Sequence, residues 1–165
     1  MARVADLLGS WAEARGLAAG DAARWRAAGY LHDALRDERP DVLRPAVPAW
    51  ARDLAGSVLH GPAAARRLRD EGVDDPELLE AIEAHTIGGV GLRLLARALY
   101  VADYLEPGRG YSSEWHAGQR ARMPFELDGV LLEVVRERVR RGQESGRGAA
   151  LETLAFLREL ERGAP

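Results

Sequence analysis

The segment Leu92 to Leu105 constrains the fold of this chain more than any other. Leu92, Leu95, Leu99 and Ala102 recur at helical spacing, which predicts a helix with one face in a core. Asp103, four residues after Leu99, falls on or beside that face. A carboxylate there is costly without a partner. The packing of this helix and some polar chemistry therefore have to be solved together.

Helical periodicity runs through the rest of the chain. Val4 to Arg15 reads as a helix, with Val4, Leu7, Leu8 and Trp11 in register and Gly16 as its stop. Gly20-Asp21 caps a segment from Ala22 to Leu35, whose Ala27, Leu31 and Leu35 share one face while His32 shares a second, partly apolar one. Arg36 to Pro48, rich in charge and proline, reads as a loop with one short turn, and Pro48 starts a helix through Leu54. Gly61-Pro62 interrupts any continuing helix, and Pro62 opens a new one that runs to about Glu71 and stops at Gly72.

Asp74-Asp75-Pro76-Glu77 is a strong start signal, a capping acid followed by proline in the first turn. Leu78, Ile82 and His85 then fall at helical spacing, and Thr86-Ile87-Gly88-Gly89 ends that helix. Glu106-Pro107-Gly108-Arg109-Gly110 closes the helix that holds Asp103. A short helix between Tyr111 and Pro124, then Leu127 to Arg140 and Ala150 to Leu160, complete the pattern. Nothing alternates as a strand does, and no repeat is present. The expectation is an all-α chain, one helical bundle over residues 1–165.

Composition excludes several chemistries. The chain has no cysteine, which removes disulfides, thiolate metal sites and a cysteine nucleophile together. A formal charge of −3 offers no bulk cationic field for nucleic acid or an anionic membrane. No apolar run is long enough to span a bilayer and no signal peptide is visible, so the expected location is cytoplasmic. Lysine and asparagine are both absent, which reads as a GC-rich genome rather than selection for guanidinium chemistry. The arginine run Arg136 to Arg141 reads as a solvated helix face, and His116, in a polar stretch, as a surface residue.

Against this background the adjacent pair His32-Asp33 stands out, with His60, His85 and Asp103 downstream at helix ends or on apolar faces. Each has an ordinary structural reading by itself: a hydrogen-bonded core histidine, a turn cap, a salt bridge to one of many arginines. Taken together they point to a metal, because a helical bundle can direct such residues into one cavity. Nitrogen and oxygen ligands without sulfur suit iron, manganese, zinc or a related divalent ion. A bridging carboxylate would permit two ions, an arrangement typical of phosphate-bond hydrolysis.

The stretches Gly29-Tyr30-Leu31-His32-Asp33-Ala34-Leu35-Arg36, Leu59-His60-Gly61-Pro62, Ala84-His85-Thr86-Ile87-Gly88 and Tyr100-Val101-Ala102-Asp103-Tyr104-Leu105-Glu106-Pro107-Gly108-Arg109 occur in this order. Together they resemble the HD-domain metal-dependent phosphohydrolases, and within them the YqeK family of symmetrical bis(5′-nucleosyl)-tetraphosphatases. The resemblance implies an all-α HD domain with a centre of two divalent ions, iron first, with manganese or zinc as alternatives. By the family's pattern His32, Asp33 and Asp103 would bind one ion, and Asp33, His60 and His85 the other. Arg36 stands where the family commonly has lysine, and Arg36 and Arg109 become candidates to hold substrate phosphates.

The implied reaction is cleavage of diadenosine tetraphosphate into two ADP. The nucleophile would be a hydroxide held by the ions that Asp33 bridges, with the metal as Lewis acid. The partner would be a dinucleoside polyphosphate or another nucleotide, with no nucleic acid and no membrane, and a homodimer left open. Two alternatives keep part of the site: a phosphohydrolase for mononucleotides or other phosphoesters, and a degenerate, non-catalytic nucleotide- or metal-binding module. The second draws on one departure. The family's first helix carries a further metal-binding histidine four residues before the position of Val4, immediately ahead of Met1. The first helix therefore reads as truncated, and the intact downstream motifs favour an upstream start codon over a degenerate site.

Overall fold

A computed structural model of the protein describes residues 1–108 and 113–163. Among them are nine α-helices and no strand, as the periodicity predicts. They are α1 (Ala2–Ala14), α2 (Ala19–Leu31), α3 (Pro40–Leu43), α4 (His60–Asp70), α5 (Pro76–Ala84), α6 (Leu94–Leu105), α7 (Ser113–Arg122), α8 (Leu127–Glu144) and α9 (Leu151–Gly163). None is long and apolar enough to cross a membrane.

The central element is α6. Beyond the predicted stripe, Ala96, Ala98, Tyr100, Val101 and Tyr104 are buried too, so the helix is covered on nearly every side. That fits its sequence, in which Arg97 is the one charged residue before Asp103. Helices α1, α2, α5, α7 and α8 all pack against it.

Close approach between helices depends on glycine at two places near Asp103's neighbours. A side chain at Gly29 of α2 would meet the Ala5 backbone of α1 at 2.4 Å, so the two helices touch main chain to main chain. A side chain at Gly61 would lie 2.9 Å from the Ile82 carbonyl oxygen and 3.2 Å from the His85 ring, which brings the start of α4 onto the end of α5.

Several predicted boundaries move, for local reasons. Helix α2 ends at Leu31 rather than Leu35, and the chain continues in tight turns closed by Ala34 N–H to Leu31 O at 3.1 Å and Arg36 N–H to Asp33 O at 3.1 Å. Pro48 to Leu54 holds a 3-10 turn at Ala49–Ala51 in place of the expected helix, too short a segment to propagate one before Gly56. Helix α4 begins at His60, because Pro62 is tolerated anywhere in a first turn, where its missing N–H has no partner to lose. Asp75 caps α5 as predicted, accepting from Leu78 N–H at 3.1 Å.

His116 is a correction. It is buried, its ring 5.5 Å from that of Tyr104, because α7 lies between α6 and α8. Its neighbours one and two turns on, Gln119 and Met123, are buried as well. The arginine run of α8 is mostly solvated, with Arg136 and Arg140 in exposed ion pairs, but Arg138 lies over the Tyr100 ring at 4.6 Å.

Candidate metal centre

Helix ends build the site. His32 and Asp33 immediately follow α2, His60 opens α4, His85 caps the end of α5, and Asp103 sits in the last turns of α6. The packing of α4 on α5, and of α2 on both α5 and α6, carries these five residues to one point. His32, His60, His85 and Asp103 are each 5% exposed or less.

Asp33 lies at the middle. Its Oδ1 is 3.1 Å from His60 Nε2 and 3.5 Å from His85 Nε2, while its Oδ2 is 3.4 Å from His32 Nε2. His32 Nε2 in turn is 3.8 Å from Asp103 Oδ1, and His60 Nε2 is 3.1 Å from His85 Nε2. The two carboxylate oxygens of Asp33 thus face different imidazoles.

The histidine tautomers decide what these contacts mean. His32 Nδ1 lies 2.9 Å from the Gly29 carbonyl oxygen, and His85 Nδ1 lies 2.8 Å from that of Ile82. A carbonyl only accepts, so each Nδ1 carries the proton, and in the neutral ring Nε2 presents a bare lone pair. Both lone pairs lie beside the Asp33 carboxylate, and that of His85 also faces His60 Nε2. Asp33 Oδ1 is buried without a hydrogen bond. Such an arrangement of acceptors is unfavourable unless a cation sits among them. Four donors about 2.1 Å from a shared tetrahedral centre stand about 3.4 Å from one another, close to the separations around Asp33 Oδ1. The donor set fits a divalent ion, and His32, Asp33 and His85 alone place one ligand atom each within 4.8 Å of the others.

Electrostatics agree with that fit. Burial pushes the Asp33 carboxyl up, but His32, His60 and His85 outweigh it and hold the group well below the ordinary carboxylate range. Burial pushes the His85 imidazole down, against the pull of Asp33 and Asp103, and so favours the neutral, ligating form.

A cleft of about 370 Å³ opens over His32, Asp33 and Asp103, with Met1, Arg3 and Val4 of α1 as one wall and Arg36 and Glu106 at its rim. Arg3 Nε donates to Glu106 across this rim at 2.6 Å. Arg36 Nη1 donates to Asp33 Oδ2 at 2.7 Å while the side chain stays half exposed. Arg109 lies outside the described residues. A larger groove of about 560 Å³, floored by Leu35, Leu43 and Ala63, contains none of these groups, so size does not locate the chemistry. One residue of the site escaped the sequence reading. Thr86, read as part of a helix stop and of a family-like stretch but given no role, puts its Oγ1 3.0 Å from His85 Nε2.

The model of the HD domain family matches residues 1–108, about two thirds of the chain and four of its helices that build the site. The chain belongs to the HD domain family.

Relatives of this HD domain include symmetrical bis(5′-nucleosyl)-tetraphosphatases. That of Bacillus subtilis is 39% identical over 71 residues, covering 42% of this chain and 38% of its own. That of Staphylococcus aureus is 33% identical over 96 residues, 54% of this chain and 50% of its own. That of Halalkalibacterium halodurans is 40% identical over 76 residues, 46% of this chain and 40% of its own. The HD domain chain therefore spans half the length or less of the curated relatives it matches. In fold it is similar to the crystal structure of a predicted HD superfamily hydrolase involved in NAD metabolism from Clostridium acetobutylicum. That likeness has a TM-score of 0.85 at 24% identity and covers 99% of this chain and 87% of the other.

Proposed function

We propose that this HD domain is a metal-dependent phosphohydrolase that cleaves diadenosine tetraphosphate symmetrically into two ADP. The observation that carries the reading is the convergence of the His60 and His85 Nε2 atoms, the second of them unprotonated by its tautomer, on the buried, unbonded Oδ1 of Asp33. A divalent cation would satisfy that arrangement, and nitrogen with oxygen donors fits iron, manganese or zinc. The relatives' activity supplies the substrate class.

In this reading His60, His85 and Asp33 Oδ1 hold one ion, and His32, Asp103 and Asp33 Oδ2 the other. Bound there, divalent ions supply Lewis acidity, which acidifies water and offsets phosphate charge. The chain's own groups do the rest. Asp33 spans the two halves of the site and stays ionised. The Nδ1 tethers of His32 and His85 fix their rings before any ligand arrives, so little ordering remains to be done on binding. Arg36 anchors one guanidinium nitrogen on Asp33 and lines the cleft in which a phosphate chain would lie. Arg109 is proposed as a second phosphate holder.

The test is an assay of diadenosine tetraphosphate beside mononucleotides, with products resolved and metal counted by mass spectrometry. Two ADP, rather than AMP and ATP, are the expected products. Asp33→Ala is expected to abolish turnover, by more than a hundredfold, while circular dichroism stays helical. Turnover retained in that variant, or preference for a mononucleotide, would overturn the assignment.

A further inference from the structure

Thr86 has no place in the ligand set above, yet its hydroxyl looks into it. A threonine at a helix end ordinarily bonds the carbonyl one turn back. For Thr86 that is the Ile82 carbonyl, and His85 Nδ1 already donates to it at 2.8 Å. The hydroxyl turns inward instead. Its side-chain partners are two imidazole nitrogens, His85 Nε2 at 3.0 Å and His60 Nε2 at 3.4 Å.

A hydroxyl has one proton to give. His85 Nε2 is an acceptor, since the ring's proton is on Nδ1, so Thr86 O–H donates to it in the ion-free protein. That lone pair is the one an ion would use. Once an ion holds both imidazoles the Thr86 proton loses its acceptor, and the hydroxyl stands beside the ion with a donor to offer. The acceptors a phosphohydrolase brings to such a point are phosphate oxygens.

We propose that Thr86 is a substrate-positioning donor with two successive partners, His85 Nε2 before the ion binds and a phosphoryl oxygen on the His60–His85 side afterwards. The inference rests on the phosphohydrolase reading and adds a residue and a direction of coupling to it. Filling the metal site releases the donor that the phosphate needs. The hydroxyl opposes ion binding slightly and favours phosphate binding, so its removal shifts the two affinities in opposite senses.

The experiment compares wild type, Thr86→Val and Thr86→Ser by calorimetric titration, first with Mn²⁺ on the metal-free protein, then with inorganic phosphate on the Mn²⁺-loaded protein. Thr86→Val keeps the shape and loses the hydroxyl. Its Mn²⁺ affinity is expected to rise about fivefold, the loss of one competing neutral hydrogen bond. Its phosphate affinity is expected to fall about tenfold, the loss of one hydrogen bond to a charged group. Thr86→Ser is expected to restore both. A fall in Mn²⁺ affinity in the valine variant would overturn the proposal by making the hydroxyl an ion ligand. Unchanged phosphate affinity would overturn it by making Thr86 a packing residue. Wild type that binds no Mn²⁺ would take down the phosphohydrolase reading itself, and the inference with it.

Discussion

Asp33 is the residue on which the two halves of the site depend, and its neighbours can be separated around it. His60 meets only Oδ1, at 3.1 Å, and Asp103 is reached through His32, at 3.8 Å. His60→Gln and Asp103→Asn are therefore expected to lose one ion each, on opposite sides, leaving about half the wild-type metal by mass spectrometry. Equal loss of both ions in either variant would mean a single indivisible centre. The five candidate ligand residues that the structure brings together were legible in the sequence because His32 and Asp33 are adjacent and His60, His85 and Asp103 each stand beside a helix-start or helix-stop signal. The role of Thr86 was not legible, since a hydroxyl after a histidine has no pattern of its own and its place beside the His60 and His85 nitrogens appears only in the fold. His116 was legible and missed: with Gln119 on α7 and Met123 just after it, it recurs at helical spacing on one buried face.

Two elements hold their positions through single residues that can be tested. Gly29 lets α2 touch α1, and a Cβ there would meet Ala5 N at 2.5 Å and Val4 C at 2.9 Å, both backbone atoms that cannot step aside. Gly29→Ala is expected to destabilise the fold by about 1–3 kcal/mol, the usual range for overpacking, seen as a lowered Tm. It also displaces Val4 from the cleft wall, so metal affinity is expected to fall with it.

Asp75 works at the other end of the bundle. Burial raises its pKa, but Leu78 N–H and Arg24 outweigh burial and hold it below the ordinary 3.8. A depressed carboxyl contributes stability above the ordinary value and loses it as pH falls through the folded one. Asp75→Ala is thus expected to cost about 1 kcal/mol at neutral pH. Denaturant unfolding should show the two proteins converging in strong acid. The α5 start was readable from Asp75-Pro76, whereas the end of α2 was not. Nothing in Leu31 to Arg36 marks a stop, and the change to tight turns shows only in the backbone hydrogen bonds.

At the scale of the molecule, α6 is the post against which α2 and α5 rest, with α4 carried on α5, and its length and apolar character announced that role. What the sequence could not supply was the crossing of α4 over α5, which depends on the bare backbone of Gly61. Because the proposed donors come from four separate helices, an ion held by them would bind only when all are docked and would stabilise the folded state alone. Mn²⁺ at a hundredfold its Kd is expected to add about 2.7 kcal/mol, raising Tm until a chelator is added. Asp33→Ala is expected to show no such response.

The same convergence has a kinetic side. Helices form locally and fast, whereas four of them must find one another before any ion is gripped. In refolding monitored with Co²⁺, ellipticity would return first and the visible absorbance of the coordinated ion last, so the colour of the centre would time the closing of the bundle.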